Sequence, residues 1–316
     1  MINRRLIRIK VFKVLYSVEA SGSDSLIEAE KTLMYSCEKT LHLYYFILNA
    51  AVALKNAAVA RIDTGLKKFN PTSEERDPNR KFAENKVSGY LEQCPWFLKY
   101  CGDHGLMWTE TLSPLVRKLL SAISAKDYYK EYMSSETRSL AEDCDLFIRI
   151  FTDEELFEDN EALASYLEDM SLFWTDDLGY VLNSVVRSLD TLRRRGMIPE
   201  PDVFLKDDDR TFALDLLKAA MTGYDKYMEA VVSSTSNWDP ERVVTTDLVL
   251  IIQGIAEAVN FPNIPLKVTI NEYVDISKYY STRNSRVFVN GLLDRILRKK
   301  TDSGEIVKTG RGLIDN

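Results

Sequence analysis

The spacing of apolar and polar residues along the 316-residue chain predicts helices over most of its length. Apolar residues recur at three- and four-residue steps, which is the period of an amphipathic helix, and short polar stretches separate one run from the next. We therefore predict an all-α protein. The stretches with helical spacing are residues 3–20, 25–68, 86–101, 109–133, 136–177, 179–195, 211–237, 247–252, 265–280 and 285–296.

The first of these stretches has two different faces. Asn3 is placed to cap the helix N-terminus, and the stripe of Ile7, Val11, Val14 and Val18 is expected to face the core. The opposite side interleaves basic groups with apolar and aromatic ones: Arg5, Ile9, Phe12, Lys13 and Tyr16.

Three arginines crowd the beginning of this helix, at positions 4, 5 and 8. The helix dipole disfavours a cation there by about 0.3–1 kcal/mol each. Two interpretations remain open, a solvated charged face and a surface for an anionic partner.

The C-terminal helical pair is the most informative stretch. Its first helix, entered through Pro262 and Pro265, has apolar residues at mixed three- and four-residue steps: Val268, Ile270, Val274, Ile276 and Tyr279. Residues 281–285 break the pattern and offer N-cap oxygens. The second helix places Phe288, Leu292 and Ile296 on one face. Gly291 lies inside this helix at a cost of about 1 kcal/mol, which predicts the close approach of another backbone.

The middle of the chain gives weaker signals. The polar segment 70–82 contains two prolines and is a candidate boundary. Between Glu142 and Asp177 stand thirteen acidic residues and one base, Arg149, and Leu146, Ile150 and Leu156 keep helical spacing within that run. We interpret it as the solvated face of core helices.

Charge and cysteine usage narrow the class of protein. A net charge of −7 argues against a protein coated in nucleic acid, whereas the local group of Arg4, Arg5, Arg8, Lys10 and Lys13 favours a confined anion site. No run of about twenty apolar residues indicates a membrane span, and no secretion signal is evident. The four scattered cysteines are then expected to be reduced thiols in the cytoplasm.

No pattern for catalysis or cofactor binding is evident. The chain has no glycine-rich phosphate loop, nucleophile elbow or HExxH motif. Cys94, Cys101 and His104 do not match a strong zinc spacing. We therefore predict no enzyme activity, no catalytic residue, no metal and no cofactor.

Three motifs together resemble the NusB-type transcription antitermination factors. The family's C-terminal blocks have the order P-x-K-V-x-I-N-E and F-V-N-G-hydrophobic-L-D, and its first helix is rich in arginine. The matching residues are Pro265, Lys267, Val268, Ile270, Asn271 and Glu272; Ser285, Phe288, Val289, Asn290, Gly291, Leu292, Leu293 and Asp294; and Arg4, Arg5, Arg8, Leu15 and Tyr16. A looser match involves Phe212, Leu216, Leu217, Tyr224 and Met228.

The resemblance implies a NusB-like helical bundle of two packed subdomains with a large helical insertion. Because short family members have roughly 140 residues, we predict a discontinuous RNA-binding module over 1–20 and 205–300. Residues 21–204 would be the insertion, and 301–316 a flexible tail.

The resemblance also implies joint recognition of boxA-like RNA and the ribosomal protein NusE in the RNA polymerase antitermination complex, which supports ribosomal RNA transcription. The implied RNA-binding residues are Arg4, Arg5, Arg8, Lys10, Lys13 and Tyr16. The implied partner-binding residues are Lys267, Asn271, Glu272, Phe288, Asn290 and Asp294. The alternative is a helical protein–protein scaffold that has lost RNA binding and uses its acidic segment to recruit a basic partner.

Overall fold

A computed structural model describes residues 1–235 and 244–313, and these residues confirm the all-α prediction. Within this described part, extended pairing is confined to one isolated bridge between Ile2 and Phe204. The helices, in chain order, are α1 (Arg4–Ser21), α2 (Leu26–Leu66), α3 (Ser73–Arg76), α4 (Lys86–Leu91), α5 (Pro95–His104), α6 (Ser113–Ala125), α7 (Asp127–Ser134), α8 (Leu140–Phe151), α9 (Glu161–Met170), α10 (Leu178–Arg195), α11 (Asp209–Thr222), α12 (Tyr224–Ser234), α13 (Thr245–Asn260), α14 (Leu266–Tyr280) and α15 (Ser285–Asp302).

The chain divides into two compact units. The middle unit consists of Met1 and residues 38–203, and the terminal unit consists of residues 2–37 and the described residues from Phe204 onward. The first boundary falls inside α2, after Cys37, and the second follows Val203. The interpretation of residues 21–204 as an insertion into a family fold stays a prediction.

The middle unit is built around the part of α2 that follows Cys37. Residues 43–48 of this helix are buried on every side, and they join one apolar core with residues from α4 to α10. Polar groups at the helix surface are also matched: Thr40 Oγ1 donates to Asp177 Oδ2 at 2.5 Å, and Trp174 Nε1 donates to the Lys39 carbonyl at 2.7 Å. Leu146, Ile150 and Leu156 in the acidic segment are buried, as their spacing predicts.

Helix α2 is also long and apolar enough to cross a membrane by length and composition alone. Its most apolar 18-residue window has a mean hydropathy of 1.4, but 67% of that window is buried inside the protein. A helix that is apolar on all sides and enclosed by other helices is typical of a protein core. We therefore interpret α2 as a core helix.

Helix α13 is the centre of the terminal unit and packs against α1, α11, α12, α14 and α15. Its residues from 249 to 258 are all buried, as expected for a helix covered on all sides, and they are apolar except for Gln253 and Glu257. Gly254 permits the closest of these contacts, because a Cβ atom there would lie 2.9 Å from the Leu293 side chain and 3.2 Å from the Tyr273 ring.

The segment after α15 differs from the flexible tail expected from the sequence. Ile306 is buried, and the Lys308 ammonium donates to the carbonyls of Ala258 and Phe261 at 2.8 and 3.0 Å. A cation at the C-terminal end of α13 complements the helix dipole and its unpaired carbonyls. Burial of this amine lowers the pKa of Lys308 to about 8. Local sequence cannot reveal this docking, because the carbonyls lie about 50 residues earlier in the chain.

The two histidines of the chain lie together in the middle unit, with ring centroids 4.5 Å apart, and the Tyr100 ring lies against both. The His42 side chain is buried, and its Nε2 atom has no hydrogen-bond partner in the described structure. Burial, and secondarily the nearby charges of Lys39 and His104, lower the pKa of His42 to about 4.

We predict that the middle unit loses stability as the pH falls from about 6.5 toward 4. The folded state binds fewer protons at His42 than the unfolded state in this window, so the free energy of unfolding decreases by up to about 3 kcal/mol. Urea titrations at pH 7 and pH 5, followed by tryptophan fluorescence, measure this change. Trp96, Trp108 and Trp174 all lie in the middle unit.

The matched control is His42→Phe, which keeps an aromatic ring and removes the titrating group. Its unfolding free energy should change less between pH 7 and pH 5 than that of the unmodified protein. Equal changes in both proteins would contradict the role of His42.

Candidate nucleic-acid and partner interface

Helix α1 begins as the sequence predicts. The Asn3 side chain accepts a hydrogen bond from the Leu6 amide at 3.0 Å, which confirms the N-cap. The predicted core stripe is largely buried, but the buried arc of the helix is wider than one stripe because α1 packs against both α11 and α13. The buried residues are Leu6, Ile7, Arg8, Lys10, Val11, Phe12, Val14 and Leu15.

Arg8 is the main correction to the predicted RNA-binding set. Its side chain is 4% exposed, and its guanidinium forms a two-point ion pair with the buried Glu257 carboxylate, with Nε–Oε2 and Nη2–Oε1 distances of 2.6 and 3.0 Å. Lys10 is buried as well. Because both cations are buried, neither is displayed to an RNA in this structure.

The Glu257 carboxylate has further partners on the next helix. Thr269 Oγ1 donates to its Oε1 atom at 2.9 Å, and the Tyr273 hydroxyl donates to its Oε2 atom at 3.1 Å. On the other side of the pair, the Gln253 side-chain amide donates to the Arg8 carbonyl at 3.0 Å. We call these five residues the Arg8–Glu257 network.

Electrostatics keep the buried Arg8 guanidinium charged. Burial alone would lower the pKa of Arg8, but attraction to the Glu257 carboxylate outweighs burial and the pKa rises above its ordinary value. The Tyr273 hydroxyl has a pKa well above its usual range, first because it is buried and second because the Glu257 carboxylate is next to it. Tyr273 therefore remains a neutral hydrogen-bond donor.

Sequence reasoning missed Glu257 and Gln253. The available signal was that these two polar residues lie four apart in an otherwise apolar helix. A polar group on a buried helix needs a polar partner, so this spacing indicates a buried polar site. That signal identifies a buried polar site but does not identify Arg8 as its partner.

Arg4 and Arg5 remain at the surface of the terminal unit in exposed ion pairs. Arg4 Nη2 lies 2.6 Å from Asp208 Oδ2, and Arg5 Nη2 lies 2.7 Å from Asp275 Oδ2. The side chains of Arg4 and Arg5 are 35% and 47% exposed. Exposed ion pairs contribute about 0–1 kcal/mol, so a phosphate can replace the Asp208 and Asp275 carboxylates at little cost. Arg4 has a second partner that is buried, because its Nε atom also donates to Asp209 Oδ1 at 3.1 Å.

Aromatic rings accompany the exposed cations farther along α1. Lys13 lies over the Tyr280 ring at 5.5 Å, and the same ring packs tilted against Phe12 at a centroid distance of 5.5 Å. Tyr16 is 40% exposed at the next turn of the helix. Among the six predicted RNA-binding residues, the surface therefore displays Arg4, Arg5, Lys13 and Tyr16.

Four of the six predicted partner-binding residues line one groove between α14 and α15, with a volume of about 640 Å³. They are Lys267, Asn271, Asn290 and Asp294. Asp294 accepts a hydrogen bond from Arg298 Nε at 2.9 Å, and the groove floor is apolar, with Ile270 and Leu297. The arrangement combines two side-chain amides and both signs of charge.

The other two predicted partner residues lie elsewhere. Glu272 is directed toward α1, with its Oε2 atom 3.8 Å from both Arg5 Nε and Arg8 Nη1. Phe288 is partly buried near the beginning of α15 and does not line the groove.

Gly291 does not have the role predicted for it. A Cβ atom built at this position meets nothing within 4 Å, so no backbone approaches it in the described structure. Close contacts require a glycine at other positions, among them Gly254 on α13 and Gly312, where a Cβ atom would collide with the Pro262 backbone. The sequence identified the need for a small residue in this bundle but assigned it to the wrong helix.

Comparison with known proteins confirms the NusB resemblance over the C-terminal part of the chain. Residues 199–298, less than half of the chain, match the model of the NusB family. A "Transcription antitermination protein NusB" from Salinibacter ruber is 36% identical over 105 residues, which cover 33% of this chain and 66% of the relative. Proteins with the same name from Chloroherpeton thalassium and Thermodesulfovibrio yellowstonii are 33% and 36% identical over 38% and 29% of this chain.

The chain thus spans between about half and two thirds of the length of these relatives, with 66, 57 and 62% covered. No solved structure matches the chain significantly. Helix α1 and the middle unit before residue 199 lie outside the range of the family match.

The Arg8–Glu257 pair generates a stability prediction. Glu257→Gln leaves the buried Arg8 charge with only the more distant Glu272 carboxylate, at 3.8 Å, so the unfolding free energy should fall by about 3–5 kcal/mol. Arg5→Gln, which removes an exposed pair, should cost less than about 1 kcal/mol. Urea unfolding followed by far-UV circular dichroism compares the two variants.

The double variant Arg8→Met/Glu257→Met is the second control, because replacing both charges by apolar groups removes the desolvation cost along with the attraction. It should be more stable than Glu257→Gln alone. If Glu257→Gln costs no more than Arg5→Gln, the pair does not organise this unit.

A separate prediction concerns Gly291. Since a helix-interior glycine costs about 0.5–1 kcal/mol relative to alanine and open space surrounds this position, Gly291→Ala should raise the unfolding free energy by that amount. Gly254→Ala is the matched control and should give no such gain, because its Cβ would collide with Leu293. A loss of stability in Gly291→Ala would reveal a neighbour of this position that the structure does not contain.

Proposed function

We propose that this chain, which carries a NusB-family domain over residues 199–298, is a non-enzymatic, cytoplasmic transcription antitermination factor that binds boxA-like RNA together with NusE. The observation that carries the proposal is the packing of the arginine-rich helix α1 against α11 and α13, two helices within the family match. The cations at the start of the chain and the family's C-terminal motifs thereby belong to one unit.

The RNA site we propose is the exposed edge of α1, and it is smaller than the sequence suggests. It comprises Arg4, Arg5, Lys13 and Tyr16, with Tyr280 beside Lys13. Single-stranded RNA is bound by cations that contact phosphates and by aromatic rings that stack on bases, and this edge offers both. Arg8 contributes indirectly by fixing α1 on the terminal unit.

We propose the groove between α14 and α15 as the NusE site. Asn271 and Asn290 line it, and neither side chain has a hydrogen-bond partner among the described residues. An amide presents both a donor and an acceptor, which suits the backbone of a protein partner. Lys267 and Asp294 carry opposite charges, which favour one orientation of the bound partner.

The burial of Arg8 and Lys10 and the ion pairs of Arg4 and Arg5 favour a second candidate function. In that case the chain is a helical interaction scaffold whose cations all serve the fold. A gel-shift titration of a short boxA-like RNA, with and without purified NusE, distinguishes the two functions. The scaffold binds NusE or another partner but leaves the RNA unshifted.

We predict that Arg4→Gln/Arg5→Gln/Lys13→Gln weakens boxA-like RNA binding and flattens its salt dependence. The slope of log affinity against log salt should fall by roughly 0.7 for each phosphate of the single-stranded RNA that the variant no longer neutralises. Filter binding at several salt concentrations measures this slope.

The matched control is Arg283→Gln/Arg286→Gln/Lys299→Gln, which removes three exposed cations from the same unit away from α1. This control should retain the slope of the unmodified protein. An unchanged slope in the α1 variant, with RNA still bound, would place the RNA elsewhere. Loss of binding in both variants to the same extent would indicate only a general charge effect.

A further inference from the structure

The middle unit contains a second groove, with a volume of about 740 Å³ and walls from α2 and α6. Its lining differs from that of a buried cavity, because small and polar side chains dominate. Apolar contacts come from Ala53, Ala57, Val116 and Leu120. None of the RNA-binding or partner-binding residues predicted from the sequence lies in it.

Two arginines at this groove lack a carboxylate partner among residues 1–235 and 244–313. Arg61 has only a long hydrogen bond, 3.5 Å, to the Ser124 hydroxyl, and Arg117 is exposed. The third cation, Lys68, is paired with Glu75 at 2.5 Å, so the groove carries an excess of positive charge.

The groove also contains uncharged hydrogen-bonding groups. The groove is lined by the hydroxyls of Thr64, Thr109, Ser113 and Ser121 and by the Asn56 amide. A phosphodiester chain alternates negative phosphates with sugar hydroxyls, and this alternation matches guanidinium groups set among hydroxyl side chains.

Aromatic rings complete the set of groups that bind unpaired nucleotides. One face of Trp108 stacks on Phe46 at 4.9 Å, and its Nε1 donates to the Phe46 carbonyl at 2.8 Å, so the ring is held rigidly in the groove wall. Phe69, which follows Lys68 in the chain, is 98% exposed. An aromatic ring in open solvent beside lysines is a stacking platform for a base.

We infer that this groove is a second binding site for single-stranded RNA, distinct from the edge of α1. The inference rests on the proposed function in that RNA is taken as the ligand class. An acidic peptide is the competing ligand. It would satisfy the arginines, but it has no use for a rigid indole in the groove wall. Phe69 is not part of the groove lining, and it is included because it follows the lining residue Lys68 in the chain. In this assignment Arg61 and Arg117 contact phosphates, and Trp108 and Phe69 contact bases.

The test uses the full chain and an eight-nucleotide oligouridylate that contains 4-thiouridine and no boxA-like sequence. Fluorescence anisotropy at several salt concentrations should show Arg61→Gln/Arg117→Gln binding at least about tenfold more weakly, with a slope lower by roughly 0.7 for each phosphate left without its arginine. Cross-links to the unmodified protein should map to the peptides that contain Trp108 or Phe69.

The matched control Lys118→Gln/Arg195→Gln removes two exposed cations from the same unit outside the groove and should leave affinity and slope unchanged. Equal losses in both variants, or cross-links confined to other peptides, would overturn the inference. Displacement of the oligouridylate by poly-glutamate at equal charge would also overturn it in favour of an acidic peptide.

Failure of this inference is distinguishable from failure of the proposed function. The α1 variant Arg4→Gln/Arg5→Gln/Lys13→Gln should retain oligouridylate binding in the groove while it loses boxA-like RNA. A chain that binds boxA-like RNA but gives no groove-dependent binding of oligouridylate contradicts the inference alone. A chain that cross-links oligouridylate in the groove but ignores boxA-like RNA contradicts the proposed function alone.

Discussion

The ion pair between Arg8 and Glu257 is the constraint on which the terminal unit depends. Two charges removed from water are stable only if both are fully matched, and the pair meets this condition through the hydroxyls of Thr269 and Tyr273. Both charges can be matched at only one rotation and one register of α1 against α13. The pair therefore decides which side chains of α1 are enclosed and which face solvent.

This constraint separates two roles within one cationic helix. Arg8 and Lys10 are buried, whereas Arg4 and Arg5 each pair with an exposed carboxylate that a phosphate can replace, although Arg4 also pairs with the buried Asp209. The same division applies to α14. Its Thr269 and Tyr273 face the buried network, and Lys267 and Asn271 face the groove beside α15. A single sequence block thus combines residues that fix the bundle with residues that are open to a partner.

The middle unit has its own apolar core and its own groove, and the family match covers little of it. Its surface is acidic over much of α8, α9 and the segment between them, yet Arg61 and Arg117 remain without carboxylates among the described residues. These two guanidinium groups, together with the hydroxyls and the Trp108 ring of the groove, are the basis for the proposed RNA site. Two surfaces of different composition would allow one chain to contact two segments of RNA or an RNA and a protein.

The sequence by itself determined the helical class, the Asn3 cap, the break at residues 281–285 and the resemblance of the C-terminal part to the NusB family, because periodicity, caps and motifs are local. It also identified four residues that converge on one groove, since a helix pair joined by a short turn brings its motifs together. Only the tertiary structure decided the fate of Arg8, the docking of Lys308 and the helix that needs a glycine. The carboxylate that pairs with Arg8 is 249 residues away in the chain. No local sequence pattern specifies which distant residue will be the partner of Arg8.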